Sequence, residues 1–209
     1  TLHKTNARTA EMCKLVENAS RDGQIAFANE LSMICDKAGI NVWELINLAN
    51  KHPRVNILQP GTGVGGHCIA VDPWFIVSEF PEESKMIRSA REINNYKTQW
   101  VIEKIKNKAL AFEIENKRKP RVACMGLAFK PNIDDLRESP AVTVVKSLEE
   151  EGIALLKVEP NLSNGKSEGL TEMNDAVKQA DIVVFLVAHK EVFNIQTDKP
   201  VLDFCGIMK

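Results

Sequence analysis

The sequence has no apolar run that approaches the roughly 20 residues needed to span a bilayer, and its first residues do not resemble a signal peptide. It has no excess of one charge either, because 27 basic and 28 acidic residues leave a formal net charge of −1. No global electrostatic field therefore favours nucleic acid or an anionic membrane as a partner. The chain also lacks an initiator Met, which is not typical of a natural protein start.

The five cysteines are widely spaced and form no C-x-x-C pair. Neither a disulfide framework nor a structural zinc site is indicated, and a reducing cytoplasm is the expected compartment. Four of them are expected to be small buried apolar residues, namely Cys13, Cys35, Cys124 and Cys205. Cys68 differs from these four because it follows a glycine-rich loop.

The first half of the chain has the spacing of helices. One helix is predicted over residues 9–38, with Gly39 as its stop, and its apolar positions are Ala10, Cys13, Val16, Ala26, Leu31 and Ile34. A second begins after Asn41, where Glu44 completes the pattern of a capping box. A third, over residues 83–116, exceeds the usual helix length, so we expect it to connect two domains or to form an association surface.

The spacing of the apolar residues changes after residues 116–120, a basic segment that ends in proline. Four short apolar runs read as buried strands separated by helical segments, at residues 122–125, 153–156, 182–187 and 201–204. Strands that alternate with helices indicate a parallel sheet with helices on its faces. We therefore predict an α/β protein, with an all-helical domain and its long connecting helix over residues 1–117 and a small Rossmann-like domain over residues 118–209.

The glycine-rich segment at residues 61–66 satisfies the pattern G-x-G-x-x-G. That pattern indicates a dinucleotide site only between a buried strand and a helix. Here Pro60 precedes it, the region upstream is helical, and Pro73 follows soon after. We expect instead a loop whose exposed backbone lets a ligand approach closely.

Cys68 lies directly after this loop, at the start of a predicted helical turn. The N-terminus of a helix stabilises a thiolate, and Asp72 lies one turn further on, on the same face. A thiolate beside a carboxylate is suited to covalent attack on a carbonyl and to base-assisted hydrolysis. A zinc site formed by His67, Cys68 and Asp72 is the rival interpretation, but it lacks a further spaced ligand, so no metal is expected.

Two segments carry a resemblance to a known family. These are residues 54–75, RVNILQPGTGVGGHCIAVDPWF, and residues 124–140, CMGLAFKPNIDDLRESP. Both resemble the UDP-glucose/GDP-mannose dehydrogenase family and, within it, the bacterial UDP-N-acetyl-D-mannosamine dehydrogenases. The resemblance covers nearly the whole chain and implies that the family's N-terminal NAD-binding domain is absent from it. Thr62 stands where proline is expected, which implies a more flexible loop without loss of a functional group.

The resemblance implies a four-electron oxidation of a sugar-nucleotide with NAD. Cys68 matches the nucleophile that captures an aldehyde as a thiohemiacetal, which becomes a thioester and is hydrolysed. Asp72 matches the acid four residues after it. Lys14 and Asn18 match a lysine and asparagine pair on the first helix. Their spacing puts an ammonium and an amide on one face, where they can hold a developing alkoxide or a water.

The resemblance also implies binding residues. Arg54 matches an arginine that reaches the nucleotide-sugar across the interface of a homodimer formed by the helical domain, and Gly65 belongs to the substrate-binding loop. Phe129 and Lys130 follow the end of a predicted strand, where open α/β sheets bind ligands, and match contacts to uridine diphosphate. Arg137 matches an arginine on the NAD side.

The expected function is therefore the oxidation of UDP-N-acetyl-D-mannosamine to its uronate, for envelope polysaccharide. UDP-glucose and UDP-N-acetylglucosamine are alternative substrates. A non-catalytic dimerisation and nucleotide-sugar-binding module is the alternative of a different class, and the intact Cys68 and Asp72 argue against it. Without an NAD-binding domain this chain alone is expected to be inactive.

Overall fold

The computed structural model describes residues 2–162 and 169–208. Four helices form the first part of the chain, namely α1 (Ala7–Ala38), α2 (Val42–Ala49), α3 (Asp72–Glu79) and α4 (Lys85–Asn116). Strands and helices then alternate, in the order β1 (Arg121–Met125), α5 (Pro140–Glu150), β2 (Ala154–Val158), α6 (Met173–Gln179), β3 (Ile182–Phe185), a 3-10 turn (Lys190–Asn194) and β4 (Val201–Asp203). The predicted succession of a helical part and a small α/β part is confirmed.

Local sequence signals set the ends of the first helices. The side chain of Asn6 caps α1 by accepting from Thr9 N at 2.9 Å, and Gly39 ends it in the left-handed conformation, with φ 68°. Asn41 caps α2, because its side-chain oxygen accepts from Trp43 N at 2.9 Å. Both helices therefore begin close to the predicted residues, and α1 also ends at its predicted stop.

The sheet is parallel throughout, with the strand order β2-β1-β3-β4. One apolar cluster covers the face that carries Val122 and Val184, and it includes residues of α4 and α5. A second cluster covers the face that carries Ala123 and Val183, and it includes residues of α6. The sheet therefore lies between two helical layers, as expected for parallel strands joined by crossover helices.

Helix α4 belongs to both parts of the molecule. Towards its N-terminus it packs against α1 and α3, and further along Val101, Ile105 and Ala109 enter the apolar cluster of the sheet. Its 32 residues therefore bridge the two parts. The connecting role predicted from its length is confirmed.

The structure corrects one expectation about the helical part and extends another. Four of the six apolar positions predicted for α1 are exposed, namely Ala10, Cys13, Val16 and Ile34, whereas Ala26 is buried. The buried face also carries polar residues such as Asn18 and Asn29. The segment after Cys68 was predicted to form a helical turn, and it continues into the whole of α3.

Candidate functional site

Cys68 and Asp72 lie one turn apart at the entry to α3. The N–H of Asp72 donates to the carbonyl oxygen of Cys68 at 2.8 Å, which closes the predicted helical turn. Asp72 is the first residue of α3, and Pro73 follows it in the first turn, where a missing N–H costs nothing. Cys68 is half-buried.

Asn18 joins α1 to this turn. Its Nδ2 donates to Oδ2 of Asp72 at 2.5 Å, and its side chain is buried between the two helices. Lys14 lies one turn earlier on α1, where its Nζ is 3.5 Å from Oε2 of Glu17 and its side chain is 64% exposed. The structure therefore brings Asn18 and Asp72 into contact and leaves Lys14 at the edge, in a weak surface ion pair.

The glycine-rich loop does not have the surroundings of a dinucleotide fingerprint. Residues 51–60 before it form no strand, and the next helix begins only at Asp72. The phosphate-binding pattern needs its last glycine at the N-terminus of a helix, where N–H groups point at the ligand. The residues present therefore do not fit the pyrophosphate of NAD.

The loop instead packs against the sheet part. A Cβ on Gly65 would lie 2.4 Å from the carbonyl oxygen of Glu138 and 2.9 Å from Cβ of Phe129. Gly66 has φ 81°, and a Cβ there would lie 3.0 Å from Cε2 of Phe129. Only glycine fits at both positions. The glycine-rich loop that precedes Cys68 therefore packs directly against the loop that carries Phe129.

Thr62 ties the same loop to the sheet. Its side chain is buried, and Oγ1 donates to the carbonyl oxygen of Leu186 at 2.7 Å, just beyond β3. Its own carbonyl oxygen accepts from Oγ1 of Thr98 on α4 at 3.2 Å. The expectation of a more flexible loop was wrong, because the hydroxyl that proline would lack makes a buried hydrogen bond.

A buried polar network holds the start of the loop, and sequence reasoning missed it. Gly61 N donates to Oδ1 of Asn29 at 2.9 Å, and Nδ2 of Asn29 donates to Oδ1 of Asn94 at 2.9 Å. Asn94 in turn donates to Oδ1 of Asp22 at 2.8 Å, and Arg91 donates to the same oxygen at 2.6 Å. The only sequence signal is a polar stripe on α1, which resembles a solvated face.

Burial sets the electrostatics of this network. Burial raises the pKa of the Asp22 carboxyl, and the Arg91 guanidinium opposes that rise. Oδ2 of Asp22 and Nε of Arg91 make no hydrogen bond within residues 2–162 and 169–208. The ion pair is therefore fully desolvated and incompletely satisfied, which makes each partner depend on the other.

A cavity of about 430 Å³ lies between the glycine loop and the carboxyl ends of the strands. Phe129 and Lys130 line it from the sheet part, and Arg21 lines it from α1. None of the described lining residues is acidic, so two cations face an otherwise apolar or neutral wall. Such a cavity suits an anion with a planar, apolar end.

Two predicted binding residues lie elsewhere. Arg54 lines a separate groove of about 630 Å³ on the outer surface of α1, beside Phe27 and Met86. Arg137 is exposed, and its NH2 donates to Oδ2 of Asp135 at 2.6 Å. That ion pair lowers the pKa of Asp135 to about 2. Neither arginine lines the cavity that holds Lys130.

Residues 2–162 and 169–208 contain no candidate metal centre. No group of three His, Cys, Asp or Glu residues in these ranges could hold a metal ion. No helix in the same ranges is both long and apolar enough to cross a membrane. All five cysteines are free thiols.

Family comparisons agree with this geometry. The UDP-glucose/GDP-mannose dehydrogenase family, central domain, matches residues 8–96. The UDP binding domain of the same family matches residues 123–209. The chain therefore belongs to the UDP-glucose/GDP-mannose dehydrogenase family, an oxidoreductase family that acts on nucleotide-sugars.

Sequence comparison with individual proteins gives closer matches within this family. The chain is 57% identical to the UDP-N-acetyl-D-mannosamine dehydrogenase of Campylobacter jejuni, over 96% of this chain and 50% of the relative. It is 55% identical to an NDP-N-acetyl-D-galactosaminuronic acid dehydrogenase of Ralstonia solanacearum, over 93% of this chain and 46% of the relative. The chain spans about half the length of the curated relatives it matches.

Solved structures of similar enzymes superimpose on this chain. A UDP-D-ManNAc dehydrogenase from Pyrococcus horikoshii superimposes with a TM-score of 0.86 at 34% identity, over 98% of this chain and 50% of that chain. The UDP-N-acetyl-mannosamine dehydrogenase from Staphylococcus aureus superimposes with a TM-score of 0.82 at 42% identity, over 98% and 49%. The fold of this chain is therefore that of the family.

Proposed function

We propose that this chain is the catalytic-cysteine and nucleotide-sugar-binding part of a larger NAD-dependent dehydrogenase that oxidises UDP-N-acetyl-D-mannosamine to UDP-N-acetyl-D-mannosaminuronate. The observation that carries the proposal is the seating of the glycine loop, with Cys68 directly after it, on Phe129 beside the cation-lined cavity. A sugar attached to a diphosphate in that cavity can extend along the loop towards the thiol. Residues 1–117 then supply the chemistry and the dimer surface, and residues 118–209 hold the uridine diphosphate.

In this proposal Cys68 is the nucleophile. Its Sγ forms a bond to the carbon of an aldehyde, and the thioester that follows oxidation of the adduct is cleaved by water. Asp72, held through Oδ2 by Asn18, is placed to accept a proton from that water. Asn18 also fixes the direction of the carboxylate, because its buried amide leaves only one oxygen free of that contact.

Lys14 stabilises developing negative charge in the same proposal. It lies one turn before Asn18 on α1, and its exposed ion pair with Glu17 costs little to break. The lysine can therefore leave this pair and turn towards a bound substrate. An ammonium placed near a developing alkoxide acts mainly in the transition state.

The nucleotide end is held by Phe129 and Lys130. Lys130 Nζ lies 5.6 Å from the centroid of the Phe129 ring, so a planar ring and a cation are presented together. Arg21 adds a second cation from the opposite wall. A uridine and a diphosphate match these two chemistries.

NAD is assigned to the part of the larger protein that this chain does not cover. The cysteine loop lacks the strand before it and the helix directly after it that a dinucleotide fingerprint needs, so its residues are assigned to the sugar of the sugar-nucleotide and not to NAD. Arg137 is the residue proposed to reach the cofactor side. The Arg137 side chain is exposed, so solvent screens its ion pair with Asp135. The guanidinium can therefore also contact an anionic ligand.

A homodimer through the helical part is proposed from the apolar outer surface of α1. Val16, Phe27 and Met86 line the groove that holds Arg54, and they are 48%, 56% and 75% exposed. Exposed apolar patches of this kind mark association surfaces. A second copy seated there would place Arg54 near its partner's nucleotide-sugar. The free thiols suit the reducing cytoplasm as the compartment.

The test is protection of Cys68 from alkylation. We expect UDP-N-acetyl-D-mannosamine to slow the labelling of Cys68 by iodoacetamide, because the sugar covers the thiol, while UDP alone slows it less. Cys13 is the matched control, since it is exposed on α1 and its labelling should not change. Mass spectrometry of tryptic peptides measures both rates in one sample.

Calorimetric titration of the same chain completes the experiment. We expect UDP to bind and NAD to bind negligibly, and Lys130→Ala to weaken UDP binding by about 1.5–3 kcal/mol. UDP binding without protection of Cys68 would support the non-catalytic binding module instead. NAD binding tighter than UDP binding would restore a dinucleotide role for the glycine loop. Comparing UDP-glucose and UDP-N-acetylglucosamine as protecting ligands tests the choice of sugar.

A further inference from the structure

A buried acid and a buried histidine lie side by side at the carboxyl edge of the sheet. Glu159 follows β2 directly, and His189 follows β3 by four residues. His189 Nε2 is 3.1 Å from Oε2 of Glu159, and the side chains of both residues are 0% exposed. An acid at the end of the second strand is where a dinucleotide-binding sheet contacts a ribose.

Glu159 is not free for such a contact. Its Oε2 accepts from the backbone N–H groups of Leu127 at 2.6 Å and Ala128 at 2.8 Å, as well as facing His189. Its Oε1 accepts from Asn161 N at 3.0 Å. Although burial opposes ionisation, the hydrogen bonds from His189 and from these N–H groups hold the pKa of Glu159 below its usual value. The carboxylate is thus used entirely by the protein.

The contacts of His189 fix the position of its proton. Nδ1 accepts from the backbone N–H of Asn132 at 3.0 Å and lies 2.7 Å from Nδ2 of Asn161. A nitrogen that accepts from a backbone donor carries no proton, so the proton is on Nε2 and points at Glu159. Asn132 has a left-handed backbone, with φ 61°, and its Oδ1 accepts from Lys190 N at 2.9 Å.

These contacts enclose one short loop. Leu127 and Ala128 are held by Glu159 on one side, Asn132 is held by His189 on the other, and Phe129 and Lys130 lie between them. Lys130 makes no ion pair within the part of the chain that the structure describes. The loop is therefore fixed by its backbone while its ring and its cation are left for a ligand.

We infer that Glu159 and His189 are positioning residues for nucleotide binding, which hold the loop backbone so that Phe129 and Lys130 meet the uridine diphosphate in a preformed geometry. The inference rests on the proposed function of the cavity. A direct contact between either side chain and the ligand is excluded because both are fully buried and their polar atoms are paired. Fixing a binding group in advance removes the cost of ordering it on binding.

Three variants of the 209-residue chain test the pair. Glu159→Gln keeps the shape of the side chain but replaces one carboxylate oxygen with an NH2 group. That group is a donor, and it faces backbone N–H groups that need an acceptor. His189→Phe keeps a ring but removes the acceptor for Asn132 N. His189→Asn restores an acceptor at the δ position. Asp181→Asn is the control, because Asp181 accepts from Arg121 N at 2.9 Å at the opposite, amino-terminal edge of the same sheet.

UDP affinity is measured by calorimetry at about 15 °C for each variant, and thermal melting shows that it is folded at that temperature. We expect Glu159→Gln and His189→Phe to raise the Kd by about ten- to hundredfold, the loss that follows removal of a partner that orients a metal ligand, because both kinds of partner hold a binding group in place. His189→Asn should raise the Kd much less than His189→Phe does, and Asp181→Asn should not change the Kd even if it lowers the melting temperature.

Each outcome decides the matter. Unchanged affinity in folded Glu159→Gln and His189→Phe overturns the positioning role alone. An equal loss in Asp181→Asn also overturns it, because general destabilisation would then explain the effect. If the unaltered chain does not bind UDP, the proposed nucleotide site fails and this inference fails with it.

Discussion

The helical part and the sheet part of this molecule distribute polar and apolar residues in opposite ways. Between α1 and α4 the buried residues include Asp22, Asn29, Ser32, Arg91, Asn94 and Lys97. On both faces of the sheet the buried residues are apolar, with the Glu159–His189 pair confined to one edge. Outside, the helical part exposes large apolar side chains such as Phe27 and Met86.

The difference corresponds to two structural tasks. The apolar core of the sheet is stabilised by the apolar surface that it buries. Its register is already fixed by the pairing of the strands. Two long helices have no such ladder between them, so apolar contact alone would allow several registers. We infer that the polar interior fixes the register of α1 and α4, and through Asn29 also the position of the glycine loop.

The largest effect is expected from breaking the buried ion pair. Asp22→Ala leaves Arg91 charged and without its partner in the interior, which should lower the free energy of unfolding by about 3–5 kcal/mol. Asp175→Ala is the control, because the Lys178–Asp175 pair is exposed and should contribute about 0–1 kcal/mol. Urea unfolding of the two variants and the unaltered chain measures both. Equal, small losses would show that the interior is not held by this pair.

The second effect concerns the outer surface of the helical part. Phe27→Glu should weaken self-association by at least about thirtyfold, the equivalent of roughly 2 kcal/mol for an aromatic side chain at an interface. Leu110→Glu is the control, because Leu110 is similarly exposed, at 55%, but lies outside the groove. Sedimentation equilibrium measures the dimer constant. A monomeric unaltered chain, or equal weakening by both variants, would contradict the proposed interface.

The third effect is a pH dependence that arises from Lys97, and it is the smallest per step of the experiment because it is spread over several pH units. Burial lowers the pKa of Lys97 to about 7, although Asp36 favours the charged form. Between about pH 7 and its usual pKa, the unfolded chain binds the proton and the folded chain does not. The free energy of unfolding should therefore rise with pH over that window, by roughly 1.4 kcal/mol per pH unit at most.

The measurement for Lys97 compares variants. Urea unfolding from about pH 7 to about pH 9.5 should give a steeper rise for the unaltered chain than for Lys97→Met. Lys108→Met is the matched control, since Lys108 lies on the same helix α4 but is exposed. Parallel curves for the unaltered chain and Lys97→Met would show that the folded lysine keeps its usual protonation.

Most of the fold follows from local sequence patterns. Helix α1 and the four strands lie within a few residues of their predicted ranges, because caps, glycine stops and short apolar runs are local signals. The buried face of α1 was predicted only in part, because Ala26 is buried but four of the six predicted apolar positions are exposed. Cys13 and Val16 satisfy helical spacing, but the polar partners that make Asn18 and Asp22 suitable for burial come from α3 and α4, far along the chain.

The candidate site also contains residues that the sequence predicts and residues that only the structure reveals. Cys68 and Asp72 are one turn apart in the sequence, so their proximity was predictable, and the structure adds the contact with Asn18. Glu159 and His189 carry no local pattern that distinguishes them from surface residues. Their contact with each other spans 30 positions, and it exists only because β2 and β3 end at the same edge of the sheet.

The sequence by itself determined the elements, the family and the residues one helical turn apart, because capping, periodicity and short motifs act over a few residues. The tertiary structure alone decided which groups are buried and what each buried group faces. Asn29 becomes a support for Gly61, and Glu159 a support for the loop of Lys130, only when distant segments bring donors to their oxygens. Burial makes an unpaired polar group costly, so those distant contacts determine whether the residue can stay there.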